Sequence, residues 1–410
     1  MQAFKKTGQK IEYMIFGVLL VVLTGLTLYL TYHQAWYAIN HMTDTGYHSD
    51  ILAYMQEAQG IDSGYNFPYP ILFLLTRIFH LLLPIEWAIS LVVTGLHVCS
   101  FVALRYYFNK YLQKAVVKEW MPWQKVFVDV VAFLVLFYSM IFVYNHPFPG
   151  TRFYYMGVFS PNPFHNATYQ ASRPVAIICV FLFADLLETY EQKLDLKKAV
   201  AFSAALLLAT MTKPSFTIVF SGTAGLIMLC RLVKSKGSNF KNTILLGCMF
   251  LPTFADLLYQ YSGVFTGTDS KGQEAGLGVE LFRVWREYCS NYFVAIVLMI
   301  FFPLVVLAFQ YRKILSNTLY RFGWQIYVVS LAMFSLLYEK GFRAVDANFS
   351  WGYMLGAFFL VMSSLMVLVE ETYKAGKHNW GLLIQWGAFG LHVLCGVFYF
   401  MIIFTGGSYY

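Results

Sequence analysis

The side chains able to do chemistry in this chain gather at a few places. The stretch DTGYHSDILAYMQEAQG at 44–60 holds Asp44, His48, Asp50 and Glu57. A carboxylate in such a loop can take the proton of a hydroxyl nucleophile as a new bond forms. Asp44 is the first choice for that base and Asp50 the second. Each has a plainer reading: Asp44 as the N-cap of a following helix, Asp50 as part of a solvated helix face. His48, four residues from Asp44 and two from Asp50, is a candidate substrate contact. The three show no diagnostic metal-ligand spacing. The sequence therefore requires no cofactor, although it leaves room for a divalent metal.

An anionic group would be received by cations elsewhere. Lys213 stands in ATMTKPSF between two apolar runs. A charge at membrane depth costs roughly 2.5–3.5 kcal/mol, so it needs a partner or a cavity. Pro214 frees backbone groups at the same level. Arg343 and Arg173 come next, because the planar guanidinium fork matches phosphate, and Asp346 lies beside Arg343 in sequence. SPNPFHNATYQASRP, kept irregular by its prolines, adds His165 and Asn166. The plainer readings are a snorkelling lysine at 213, an interfacial anchor at Arg173 and a hydrogen-bonded loop histidine at 165. Arg283 and Arg286, three apart, read as one solvated helix face. Asn166-Ala167-Thr168 and Asn348-Phe349-Ser350 match the glycosylation sequon, but both lie close to an apolar run.

These groups must be carried by membrane helices. Of 410 residues 59% are hydrophobic and 12% charged, about half the charge of a soluble domain. The net charge of +8 is accounted for by topology, and no nucleic-acid partner is expected. Five of the six cysteines fall in apolar runs and none forms a CxxC pair, so they read as small membrane-core residues. Apolar runs near 13–31, 85–104, 126–144, 172–190, 198–212, 214–232, 244–260, 291–310, 323–338, 350–370 and 381–404 are span candidates. The first is too long for a secretory signal and is expected to stay uncleaved.

Basic residues orient them. Six clusters at 5–10, 105–125, 193–198, 231–241, 312–321 and 374–377 hold 20 of the 29 Lys and Arg. They share one side, the cytoplasmic one, if the chain crosses once between residues 32 and 104. The apolar stretch 68–84, with Arg77 and His80 inside it, is then an interfacial helix. The expected fold is an all-α integral membrane domain over 1–410: eleven transmembrane helices, the N-terminus inside and the C-terminus outside. Its outer loops are 32–84, 145–172, 261–290 and 339–349, and GVELFRVWREYCS in the third can form a short helix. The nine remaining basic residues, with Asp44, Asp50, His48, His146, His165, Glu339 and Asp346, fall on the outer face or its boundary.

In the first loop Tyr47, Ile51, Tyr54 and Ala58 mark one face of a surface helix, ended by Gly60 and followed by YNFPYP and the second interfacial helix. This order resembles the first outer loop of the GT-C superfamily, the multispan glycosyltransferases that use polyprenyl-phosphate-linked sugars. Asp44 takes the family's acidic position, Gly60 the helix end and Phe67-Pro68-Tyr69-Pro70 the proline motif. The resemblance covers roughly residues 13–145. It departs where Pro-Tyr-Pro replaces adjacent prolines and where Thr45 replaces a second acid. It implies a sugar moved from a polyprenyl-phosphate donor to a glycan, lipid or protein acceptor, with Asp44 or Asp50 as base and cations on the leaving phosphate. A bacterial plasma membrane is expected, since the terminal GGSYY is no retention signal.

Three other readings stay open. A transporter or flippase for a lipid-linked or anionic substrate would also want Lys213 in a cavity, but should show paired broken helices. A polysaccharide polymerase or ligase would use outer-loop arginines such as Arg283 and Arg286. An assembly subunit without chemistry is the third.

Overall fold

The computed structural model describes residues 2–117, 119–143, 153–264, 273, 276–375 and 379–408, with side chains for all of these except 2–7, 263 and 264. Lys118, His146, Arg152 and Lys271 lie outside the described residues.

The chain is an all-α membrane protein. Helix α1 spans Gln2–Ile39, the short helices α2 and α3 span Ile51–Gln59 and Ile71–His80, and α4 spans Ile85–Ala115. Next come α5 (Pro122–Leu134), α6 (Tyr155–Val158), α7 (Ala167–Thr189), α8 (Leu196–Thr212) and α9 (Pro214–Lys234). Helices α10 (Phe240–Cys248) and α11 (Leu251–Val264) follow, then α12 (Trp285–Tyr288) and α13 (Tyr292–Gln310). The last are α14 (Lys313–Ser316), α15 (Thr318–Leu336), α16 (Ser350–Ala375) and α17 (Trp380–Phe404).

Among the described residues seven of these are long and apolar enough to cross a membrane: α1, α4, α7, α9, α13, α16 and α17. The count rises to eight if α10 and α11, bent by 46°, form one span. The other three apolar runs are helical but fall short. Helix α5 has 13 residues and runs on only through a 3-10 turn at Val135–Phe137. Helix α8 has 17 residues, and α15 carries Arg321 and Gln325 in its 19. The six cysteines are all free thiols.

The bundle is centred on α16, whose apolar window is buried throughout. Gly352 and Gly356, four apart, let neighbouring backbones approach. A side chain at 352 would meet the Ser215 carbonyl of α9, and one at 356 would meet Ser330 of α15. Helix α13 is broken at Ile300 (φ −112°, ψ 21°) just before Pro303. Proline removes one N–H and orphans the carbonyl four residues back. That carbonyl, of Met299, accepts the Tyr138 hydroxyl at 2.9 Å. The Phe302 N–H donates to His392 Nε2 at 3.2 Å, so Nδ1 carries the ring proton and donates to the Ser139 carbonyl at 2.7 Å.

Two expectations for the loops need correction. The surface helix begins at Ile51, not Tyr47, and Asp50 rather than Asp44 stands at its N-cap position. Tyr47 has φ +56°, a left-handed conformation no helix continues through. It is held by its N–H to the Gly406 carbonyl at 3.2 Å and its hydroxyl to the Phe404 carbonyl at 3.1 Å. In the third loop the helix covers only Trp285–Tyr288, because Leu277–Val279 (β1) pairs antiparallel with Leu337–Glu339 (β2), Gly278 opposite Tyr338. This small sheet joins the third and fourth loops. Gly60 does end α2, at φ 74° with its N–H on the Gln56 and Glu57 carbonyls.

Candidate functional site

The site lies where the ends of α1, α2, α4, α7, α8, α9 and α16 meet. Asn166 is its hub. As N-cap of α7 it accepts the Tyr169 N–H at 2.8 Å and the Thr168 hydroxyl at 2.8 Å on Oδ1. Its Nδ2 donates to Asp50 Oδ2 at 2.6 Å and to the Tyr54 hydroxyl at 2.8 Å. Exchanging its amide N and O would turn an NH2 against the Tyr169 N–H, so the orientation is fixed. The segment before it is pinned too, with Gln34 and Gln170 both donating to the Phe164 carbonyl and the Asp50 N–H on the His165 carbonyl at 3.3 Å.

Lys213 reaches the same hub from the break between α8 and α9. The residue before a proline is driven to extended backbone, and Lys213 sits at φ −164°, ψ 112°, while Pro214 opens α9 at its first position. Its Nζ donates to Thr168 Oγ1 at 2.6 Å and Asn166 Oδ1 at 3.3 Å, leaving a third N–H uncommitted. The ammonium stands 4.8 Å from the Trp351 ring centroid. At 4% exposure, burial pulls its pKa down to about 7; the Arg343 charge pushes the same way and Asp50 opposes. Burial likewise pulls His165 down to about 4, with Asp50 opposing and Lys213 adding to the fall. His165 is therefore a neutral imidazole at pH 7, 5.7 Å from the Trp351 ring.

The fourth loop closes one side. Arg343 Nε lies 3.1 Å from Glu339 and 3.4 Å from Asp346, and its guanidinium is 6.0 Å from the Tyr65 ring of the first loop. Burial raises the Glu339 pKa against the pull of Arg343. The Arg343 charge also acts on Tyr69 and Lys213. Arg77, the charge inside the second surface helix, donates to the Ala58 and Glu57 carbonyls, both at 2.9 Å, and so caps α2.

Of the residues singled out from sequence, Asp50, His165, Asn166 and Lys213 are together, with Arg343 and Asp346 at the edge. Asp44 is exposed in a 3-10 turn (Thr43–Thr45) beside the end of α17 and makes no contact with this group. His48 is half-buried and forms no hydrogen bond or ion pair among the described residues. Arg173 is deeper on α7, away from the hub. Arg283 and Arg286 are both taken up locally by Glu280. Sequence reasoning gave no site role to Tyr54, Tyr69, Thr168, Glu339 or Trp351. Tyr54, one helical turn past Asp50, was findable. Asn166 was singled out as a polar contact, while Thr168 was noted only as the third residue of a discounted sequon; both side chains are buried, which rules out glycan attachment in the folded state. Among the described residues no group of three or more His, Cys, Asp and Glu is placed to hold a metal ion.

Chemically, the site offers a half-buried carboxylate and a buried ammonium joined through one amide, with a guanidinium close by. No protein-family model matches the chain. No curated protein matches it either.

Proposed function

We propose that the chain is a membrane glycosyltransferase of GT-C type, moving a sugar from a polyprenyl-phosphate donor to an acceptor at the outer face. The observation that carries this reading is the Asp50–Asn166–Lys213 link. It holds a proton acceptor and a phosphate-sized cation a fixed distance apart at a bundle end. In the reaction the acceptor oxygen bonds to the anomeric carbon and passes its proton to Asp50. The bond from that carbon to the phosphate oxygen breaks, and the departing phosphate takes its electron pair toward Lys213 and Arg343. Asp50 takes precedence over Asp44 because of its place beside Lys213. His165 and Trp351 would border the sugar, and Asp346 would tune Arg343.

The eleven-span topology goes with this reading, with α5, α8, α15 and the α10–α11 pair also crossing. Support comes from the opposite bundle end, where charges from many helices pair up. Arg105 bonds Glu12 and Asp129, Lys110 bonds Asp185, Arg231 bonds Glu191 and Lys313 bonds Glu370. Those ends would face the cytoplasm of a bacterial plasma membrane, with the C-terminus outside. The transporter reading gains from further breaks besides the α8–α9 junction: α13 at Ile300 and the bent α10–α11 pair.

The test is release of free polyprenyl phosphate from a panel of sugar-linked polyprenyl phosphates and acceptors, by wild type, Asp50→Asn and Asp44→Asn in nanodiscs. Release that depends on Asp50 supports the reading. No release across the panel, together with movement of lipid between leaflets, turns it over to the transporter.

A further inference from the structure

Arg173 is a centre of its own. It stands seven residues past Asn166 on α7, about 10 Å further along the helix. Its side chain is 1% exposed. Its Nε and Nη1 are enclosed and make no hydrogen bond. None of the carboxylates among the described residues forms an ion pair with it. The rings of Tyr169 and Phe358 lie 5.2 and 4.9 Å from the guanidinium carbon. They supply an attractive π face; the Tyr169 hydroxyl donates to the Pro161 carbonyl at 2.8 Å and is also the guanidinium's side-chain hydrogen-bond partner, which leaves Nε and Nη1 open. Across the α4–α7 contact, His97 is 2% exposed and its Nδ1 is also enclosed without a partner. Arg173 lies within electrostatic reach of it.

A guanidinium stays charged inside a protein. A buried cation with open donors and no counter-charge is strongly disfavoured. The arrangement calls for one negative charge, small enough for a closed space and cheap to dehydrate. We propose that Arg173 and His97 form, between α4 and α7, a buried site for a small, weakly hydrated monovalent anion such as chloride. The ion acts as a resident counter-charge, and the site does not depend on the transferase reading. A divalent or strongly hydrated anion is excluded by the same enclosure that leaves the donors dry.

The experiment uses the full chain without lipid donor, in nanodiscs, in sodium chloride, sodium nitrate and sodium gluconate at equal ionic strength. The midpoint of thermal unfolding should be higher in chloride and nitrate than in gluconate by about 3–5 °C, the size expected for a bound ion well above its dissociation constant. Chloride-35 resonance lines should broaden with wild type, and bromide should reverse the broadening. Arg173→Met removes the charge at similar volume, so the variant should fold and lose both effects. His97→Phe should weaken the ion about tenfold. Equal midpoints in the three salts, absence of broadening with wild type, or anion dependence that survives Arg173→Met would overturn the proposal. The line-broadening arm decides even if a variant fails to fold.

Discussion

Binding of an anionic lipid at the hub should weaken as pH rises, with Lys213 setting the slope. Burial holds this lysine near pH 7 instead of 10.5, and an anion needs its charged form. About half the free protein carries that form at pH 7, and about a hundredth at pH 9. Apparent affinity scales with the competent fraction, so a phosphodiester-linked sugar lipid should bind about fiftyfold more weakly at pH 9 than at pH 7. A phosphodiester keeps a single charge over this range, so the slope belongs to the protein. The assay is equilibrium binding of a labelled donor to nanodisc-embedded protein from pH 6 to 9. Lys213→Arg should give a flat curve, because arginine does not titrate there. Lys213→Met should bind weakly at every pH. Stability should run in the opposite sense. Between pH 7 and 10.5 the unfolded chain holds the extra proton, so the folded state gains stability as pH rises through that window. Lys213→Met should lose this gain. A flat wild-type binding curve, or a Lys213→Arg curve with the wild-type slope, would refute the reasoning.

Three further outcomes are expected. Asp50→Asn should lower the transfer rate by about 10²–10⁴, whereas Asp44→Asn should stay within about threefold of wild type; initial rates of phosphate release measure both, and equal losses would return Asp44 to the site. Asn166→Ala removes an N-cap and strands buried donors, so it should cost about 2–4 kcal/mol by chemical denaturation and release Asp50 from Lys213; a loss below about 0.5 kcal/mol would mean that the hub is dispensable. Arg77→Ala uncaps α2 and should cost about 1 kcal/mol, with faster proteolysis near Gly60 as the local readout and unchanged cleavage as the contrary result.

Much of this fold was legible because a bilayer enforces its own grammar. Apolar runs of span length became helices, Gly60 ended the surface helix, and the Lys213–Pro214 break was read from a charge and a proline set in apolar sequence. What could not be read depends on contacts distant in the chain. Asp44 and Asp50 have similar local sequence, and the difference between them is made by Tyr47, turned left-handed by its hold on Gly406 and Phe404 some 360 residues later. Nothing local in the sequence marks Trp351, which α16 brings to Lys213. Arg77 looked like an interfacial charge, yet its partners are the last carbonyls of the preceding helix. Seven of the eleven expected spans are carried by helices long and apolar enough to cross on their own; runs such as α8 and α5 are helical but shorter.

The repair of the α13 break has a consequence for how the protein is made. The acceptor for the Phe302 amide is His392, ninety residues downstream. Chains are synthesised and inserted from the N-terminus, so α13 enters the membrane well before its partner exists. During that interval a polar backbone group faces a low-dielectric space with no protein acceptor, at a cost of several kcal/mol. Helix α17 is thus the piece that closes the break from outside, late and in trans to the segment it completes. A nascent chain halted before Trp380 should hold α13 in a state open to protease or to bound insertion machinery, and adding the final helix should make it resistant in one step.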